Sequence, residues 1–534
     1  MSRCRAASVA AGTRVAIKTF FKTTSILALG LTGGLSGAAW AQSSKQGEPL
    51  SAINWLSRSV VTPAIVKPDP PVRGAGGIED ISVLSLDAPS ADTLGLLPAA
   101  RTGLPRTLWG ATPEPQLAQA LHDVPDDNLP ALHELLMTIL LAELDPPQIS
   151  NASQRGKLFL ARIDRLLDLG ALEQANALLQ QADPTDPRVF RRRFDVALLL
   201  GNETGACRVM QRTPAIAPSY PAQIFCLART GHWDTAELTY GTGRALGQIP
   251  DDQAELIERF LDPALADGAE ELTPPDPVTP LAFKMMEAIG QPLATSMLPL
   301  AFAHADLTEN NGWKGQLEAA ERLARAGVLD PNRLLGLYTE RRAAASGALW
   351  DRVSAVSALE RAVTDKDTSA VARTLPRAWN VMSRQDLEPT LAALYGSRLA
   401  RMDLEGNAGV IAKKLGLLSP DYEEVAQRGG LGPNAALLAG FAKGDTAGIA
   451  AQDDLTRALK RVFDAPPTAV PERYSGELPD QLGAALLHAI DDVAQGARGD
   501  HPRLVDGMKM LRLAGLESTA RRAAIELVVL ERRG

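Results

Sequence analysis

The sequence predicts an all-α chain, built of helical hairpins stacked as a solenoid behind an extended N-terminal arm. Three observations point there. Aromatic residues make up 4% of the 534 residues, and Ala, Leu, Arg, Glu and Asp are abundant. That composition suits closely packed helices better than strands, which favour β-branched and aromatic side chains. Beyond Glu114 the chain reads as short amphipathic helices, broken every 12 to 18 residues or so by Gly, Pro or Asp-Pro. Most telling is an internal repeat: Gly170-Ala171-Leu172-Glu173-Gln174-Ala175 recurs as Gly231-His232-Trp233-Asp234-Thr235-Ala236, with Gly201-Asn202-Glu203-Thr204-Gly205-Ala206 between them. The glycines are 31 and 30 residues apart, and stacked units of that period bury the apolar face that one hairpin cannot bury alone.

In chain order, residues 1–41 read as a Sec-type signal segment. Arg3, Arg5, Arg14, Lys18 and Lys22 precede an apolar run from Ser25 to Ala39, and the small residues Ala39 and Ala41 flank Trp40 at a cleavage site placed after Ala41. The alternative, a retained membrane anchor, is disfavoured because Gly30, Gly33, Gly34 and Gly37 dilute the run below what a spanning helix needs. No transmembrane segment is then expected in the mature chain. Residues 42–113 form the arm, with Pro68-Asp69-Pro70-Pro71 and Gly74-Ala75-Gly76-Gly77 denying sustained periodicity. Inside it, Leu50 to Val60 has one apolar helical face, and Ile78 to Leu86 reads as one short strand that packs back on the body or pairs along a partner's sheet edge.

Repeats fill 114–272, irregular helical pairs 277–464 after Thr273-Pro274-Pro275-Asp276-Pro277, and capping helices 477–534. Asp330-Pro331, Ser419-Pro420 and Asp500-His501-Pro502 each set a capping acceptor and a first-turn proline before an apolar-periodic run. In the last helix Ala520, Ala523, Ala524, Leu527, Val528 and Leu530 form the packed stripe, leaving Arg521, Arg522, Glu526 and Arg532 outside. Gly327-Val328-Leu329 and Gly515 to Ala520 repeat the turn theme. Its physics is specific: glycine ends one helix in a conformation that a Cβ resists, and alanine five residues on lets the next helix come close.

These turns, with the Asp183-Pro184 ending, resemble tetratricopeptide-type repeats, whose inter-helix turn carries Gly-x-aromatic-x-x-Ala. The resemblance covers about Ser153 to Gly247 and implies a right-handed α-solenoid of helical hairpins. The chain lacks the family's paired Trp and Tyr in the first helix, so the resemblance carries the architecture and no ligand residues.

Loss of the signal removes Cys4 and leaves Cys207 and Cys226 in an oxidising compartment, where an even pair 19 apart predicts one disulfide, the alternative being two buried thiols. It would join neighbouring helices over Glu203 to Thr213 and Ser219 to Thr230. The formal charge of −8 falls to −13 once the five basic residues of the signal are gone, so nucleic acid is not an expected partner.

Signatures of chemistry fail one by one. His133-Glu134-Leu135-Leu136-Met137 has Met where a zinc-binding helix needs its second His. Gly241-Thr242-Gly243-Arg244-Ala245-Leu246-Gly247 is one residue too long for a dinucleotide fingerprint and follows a helix pattern. No Gly-Lys-Ser/Thr occurs, Ser346 lacks a nucleophile elbow, and the six histidines are scattered. Paired acids (Asp126-Asp127, Asp251-Asp252, Glu423-Glu424, Asp453-Asp454, Asp491-Asp492) mostly fall where first helical turns are expected. No catalytic residue, metal ligand or cofactor is therefore assigned.

The expected partner surface is the segment His304 to Arg352, through His304, Asp306, Trp313, Tyr338, Trp350 and Arg352, since Trp, Tyr and Arg dominate interface hot spots. Set against it is the reading of Trp313 and Trp350 as inter-helix core. The sequence as a whole points to a periplasmic or secreted, non-catalytic scaffold or adaptor of the bacterial envelope that binds a protein or an envelope component. The alternatives are an envelope enzyme acting on cell-wall glycan and a structural spacer.

Overall fold

The computed structural model describes residues 90–148, 155–266, 268–308, 310–343 and 345–530. The signal segment, the helix expected at Leu50 to Val60 and the strand expected at Ile78 to Leu86 lie outside them. All regular elements among the described residues are helices, with one isolated bridge, Leu97 to Ala142, as the only extended pairing among them.

The last part of the expected arm, residues 90–113, is packed into the body. Its 3₁₀ turn Ala91–Thr93 places Asp92, fully buried, at the start of a helix far along the chain. There the carboxylate accepts from the backbone N–H groups of Gly156 and Phe159, both at 2.8 Å. These are orphan donors of a helix N-terminus that no local side chain caps. The buried Arg162 guanidinium then donates to the carbonyls of Leu94 (2.8 Å), Leu140 (2.9 Å) and Ala142 (2.8 Å), tying this segment to the body. Trp109, just after helix α1 (Ala99–Thr102), is also fully buried.

Helices α2 (Glu114–Asp123), α3 (Pro130–Leu141) and α4 (Lys157–Asp168) come next. Of these and the helices that follow, α4 and α5 (Leu172–Leu179), α6 (Pro187–Leu199) and α7 (Glu203–Arg212), and α8 (Tyr220–Arg229) and α9 (Trp233–Ala245) form the three expected hairpins. Gly170, Gly201 and Gly231 take φ of 76°, 71° and 87°. In each, the glycine N–H and the next N–H reach back to two carbonyls of the preceding turn, for example Gly170 to Leu167 (3.0 Å) and Ala171 to Leu166 (2.8 Å). Ala175, Ala206 and Ala236 are buried where the second helix comes close. The same cap recurs at Gly327 and Gly515.

Cys207 of α7 and Cys226 of α8 form a disulfide, with Cα atoms 5.0 Å apart. Thr213 and Thr230 are the C-caps, and the Ser219 hydroxyl caps α8. After α10 (Asp251–Leu261), α11 (Pro280–Ala288) packs back on α6. Residues of α6 to α11 build a hydrophobic core of their own around Phe194, Phe225, Ile257 and Phe260. The proline-rich stretch at 273–277 therefore lies within this lobe, whose core continues to Met285 and Met286.

The other core runs from Leu104 to Val529. It takes in α12 (Ala303–Asp306), α13 (Trp313–Arg325), α14 (Pro331–Glu340), α15 (Ala348–Thr364), α16 (Thr368–Ser383), α17 (Glu388–Leu399), α18 (Gly406–Leu417), α19 (Tyr422–Gln427), α20 (Ala435–Lys443) and α21 (Asp454–Asp464). The Asp330 and Asp500 caps form as expected. Ser419 is buried in the turn before α19, whose N-cap is Asp421.

The chain ends with α22 (Leu482–Ala497), α23 (His501–Leu513) and α24 (Glu517–Val529). Here the structure departs from a one-sided terminal cap: α22 packs on α2, and α24 packs on α3. Glu526, expected in solvent, is buried, and its carboxylate accepts from Ala131 N–H in the first turn of α3 at 3.0 Å. Arg522 pairs with Glu134 of the same helix. An acidic group at a helix N-terminus meets both an unpaired donor and the positive end of the dipole, which explains why Glu526 is tolerated inside.

Candidate functional site

The segment His304 to Arg352 turns largely inward. Tyr338 of α14 is fully buried and donates its hydroxyl proton to Glu321 of α13 at 2.7 Å. Arg352 of α15, also buried, clasps the same carboxylate with two bonds of 2.7 and 2.6 Å. Three helices are thus pinned through one carboxylate whose charge is paired and whose acceptor sites are filled. Burial, and then the Glu321 charge, hold the Tyr338 hydroxyl well above the usual phenol range. His304 is buried and bonds through Nε2 to Gly170 O at 2.8 Å, and Asp306 is half-buried and accepts from the Thr295 hydroxyl. Tyr338, Arg352 and His304 therefore belong to the interior and do not form the partner-facing surface expected of them. Trp313 and Trp350 are half-buried with ring centroids 5.0 Å apart, and the Trp313 indole N–H donates to Leu337 O at 3.0 Å.

One polar cleft of about 290 Å³ opens between α5, the α6–α7 turn, α12 and α14, lined by Glu173, Asn176, Leu200, Asn202, His304, Leu307, Thr308 and Arg333. Glu173 and Arg333 pair across it at 2.6 Å. Burial lowers the His304 pKa, so the imidazole is neutral there near pH 7. Glu173 is the one carboxylate lining it among the described residues.

Of the five acid pairs, Asp251-Asp252, Glu423-Glu424 and Asp453-Asp454 sit at helix starts, whereas Asp126-Asp127 lies in the loop before α3, where Asp126 pairs with Arg165 at 2.8 Å. Asp491-Asp492 sits inside α22, where buried Asp492 accepts from Tyr474 (2.6 Å) and pairs with Arg473 (2.7 Å) and Arg503 (2.6 Å). Nearby His488 bonds to Glu477 at 2.6 Å, a contact that raises its pKa. Among the described residues no group of three His, Cys, Asp or Glu is placed to hold a metal ion, and no helix is long and apolar enough to cross a membrane.

The feature missing from the sequence reading is helix α9. A surface helix ordinarily turns its large apolar residues inward. Helix α9 inverts this: the residues it buries are Ala236 and Gly243, while Trp233, Leu238 and Leu246 are 44%, 72% and 60% exposed. Small inward residues bring the backbone close. A Cβ on Gly243 would lie 2.9 Å from Ile249 Cδ1 and 3.0 Å from Tyr220 Cδ1, which accounts for one glycine of the Gly241 to Gly247 run. Gly247, with φ of 63°, closes the helix. Along the flank that meets α10, Trp233 lies against Phe260 (6.2 Å between centroids), Tyr240 bonds to Glu258, and Arg244 pairs with Asp251 at 2.7 Å. The signal was present as the small residues Ala236 and Gly243, seven apart on one helical face, with Leu238 on the opposite one. Comparison of the chain with family models, curated proteins and solved structures gives no match.

Proposed function

We propose that this chain is an exported, non-catalytic scaffold or adaptor of the bacterial cell envelope, periplasmic or secreted after Sec-type cleavage behind Ala41, that binds another protein. In this reading the hairpins of α4 to α9 form a right-handed, tetratricopeptide-like solenoid segment, and the lobe they lead into presents the binding surface. The observation that carries it is α9. Three of the seven large hydrophobic residues exposed among the described residues lie on this helix and its C-cap, in a lobe already cross-linked by a disulfide. Large apolar side chains left exposed together on one helix are a feature of interaction sites, and a structural disulfide is at home outside the reducing cytosol. An envelope glycan hydrolase would place two carboxyls about 5 to 10 Å apart around a slot. The polar cleft offers Glu173, already paired with Arg333, and so lends that rival no support.

The test is affinity capture with crosslinking from the exported fraction, comparing the parent with Leu238→Asp. The scaffold reading expects a reproducible partner that the variant loses. Recovery of none, with glycan cleavage by the purified protein, would sink it.

A further inference from the structure

We infer that the polar cleft between α5 and α14 is a binding site for a single neutral sugar ring. The inference goes beyond the scaffold reading and concerns a surface other than α9. Two of the hairpin turns deliver residues to this cleft. Glu173 and Asn176 lie on α5, just after Gly170, and Leu200 and Asn202 flank Gly201. The rest of the lining includes His304 of α12, its C-cap Leu307, and Arg333 of α14.

Several of these polar groups are unspent. Asn202 occupies the N-cap of α7, where an asparagine ordinarily turns its oxygen onto the first helical N–H groups, yet it makes no cap bond. The half-buried Asn176 carboxamide likewise has no hydrogen-bond partner among the described residues. His304 Nε2 must donate, since Gly170 O can only accept, which leaves Nδ1 as an acceptor on a neutral ring. Glu173 and Arg333 share one bond of 2.6 Å, so among the described residues the second carboxylate oxygen and most of the guanidinium N–H groups stay uncommitted.

These groups select the chemistry of the ligand. The one acid and the one base of the lining cancel, so an anion meets Glu173, a cation meets Arg333, and neither is favoured. Each carboxamide offers donors and an acceptor together, which matches a hydroxyl, itself both donor and acceptor. A ring that carries several hydroxyls meets several such groups at once and is already rigid, so little freedom is lost on binding. Half-buried Leu200 and Leu307 supply apolar surface for the C–H face of the ring. A volume of about 290 Å³ lies at the small end of ligand clefts and suits one ring better than a chain. With Glu173 as the one carboxylate in the lining, the site binds its sugar without cleaving it.

The probes are glucose, galactose, mannose and N-acetylglucosamine, titrated into the disulfide-intact protein by calorimetry and followed through the methyl resonances of labelled leucine. At least one should saturate a single site with a Kd in about the millimolar range or tighter. It should shift the Leu200 and Leu307 methyl signals over the same concentrations. Asn176→Ala and Asn202→Ala should each weaken binding about three- to tenfold, the loss of one hydrogen bond. Glu173→Gln with Arg333→Gln removes both charges, keeps hydrogen-bonding groups, and should change the affinity by no more than about threefold. Thermal unfolding of each variant checks the fold. The same sugar, free and at the end of a soluble oligosaccharide, separates two sources. Equal affinity shows that the cleft takes the end of a glycan chain, and a loss of about tenfold or more assigns it to free sugar.

No saturation by any of the four sugars, equal binding by the parent and both asparagine variants, or methyl shifts confined to other leucines would overturn the inference. So would saturation by glycine or glycylglycine that is abolished when Glu173 and Arg333 are neutralised, because the ligand would then be a zwitterion. The outcomes separate from those of the scaffold reading. Leu238→Asp should leave sugar binding unchanged, so a lost protein partner and a lost sugar are read by different variants.

Discussion

Asp195 gives the sharpest test of the packing around α6. The residue is 8% exposed, and its buried Oδ2 has no hydrogen-bond partner among the described residues. Burial pushes its pKa from 3.8 up to about 7, although Arg191 and Arg192 pull the other way. The perturbation is Asp195→Asn, which keeps the shape and removes the charge. A carboxyl whose folded pKa is raised costs stability as pH rises. Below about pH 4 it is neutral in both states; from there to about pH 7 the unfolded chain alone ionises, and stability falls by about 1.4 kcal/mol per pH unit. From pH 5 to pH 7 the parent should lose about 2 kcal/mol relative to the variant, with little further change above about pH 7.5. Urea unfolding of both proteins at pH 5, 6, 7 and 8 measures this, since every other titrating group cancels in the comparison. A stability difference that stays constant from pH 5 to 8 would refute the claim that Asp195 is held neutral by burial.

Other outcomes follow from the same reasoning. Mass analysis of the unreduced protein should find the Cys207 and Cys226 peptides linked, and replacing both by Ser should cost about 3 kcal/mol in urea unfolding, as a closed loop of this length implies. Gly201→Ala should cost about 1 to 2 kcal/mol for its positive φ, and Gly170→Ala clearly more, because there the new Cβ would also lie 2.8 Å from Leu300 Cγ. Lys366 and Asp386 hold positive φ in caps of the same kind, and Lys366→Gly should raise stability by about 0.5 to 1 kcal/mol in thermal or urea unfolding.

Those caps also mark what was legible in the sequence. Where glycine occupies the turn, at 170, 201, 231, 327 and 515, the hairpin is readable from the residue that only glycine suits. Where Lys366 or Asp386 takes the same conformation, no residue announces it, and the turns between α15, α16 and α17 are known from the structure alone. The disulfide was legible because both its helices were. The inward turn of Tyr338 and Arg352 was not, because burial of a charged side chain depends on a partner, Glu321, that lies 31 residues from Arg352 in the chain and is named by no local pattern. Glu526 shows the same limit at longer range: its partner, the first turn of α3, is 395 residues away. Helix α9 went unnoticed for a different reason. Amphipathic periodicity tells which residues share a face but not which face is buried, and here the small one is.

The most direct measurement of the central claim is site-specific photocrosslinking in cells that make the protein, with the reactive residue placed in turn at Leu238 on α9 and at Val410 on α18, both exposed. The scaffold account predicts a discrete crosslinked partner from position 238 and none from 410. Equal products from both positions, or none from 238 while the protein is folded and abundant, would contradict it.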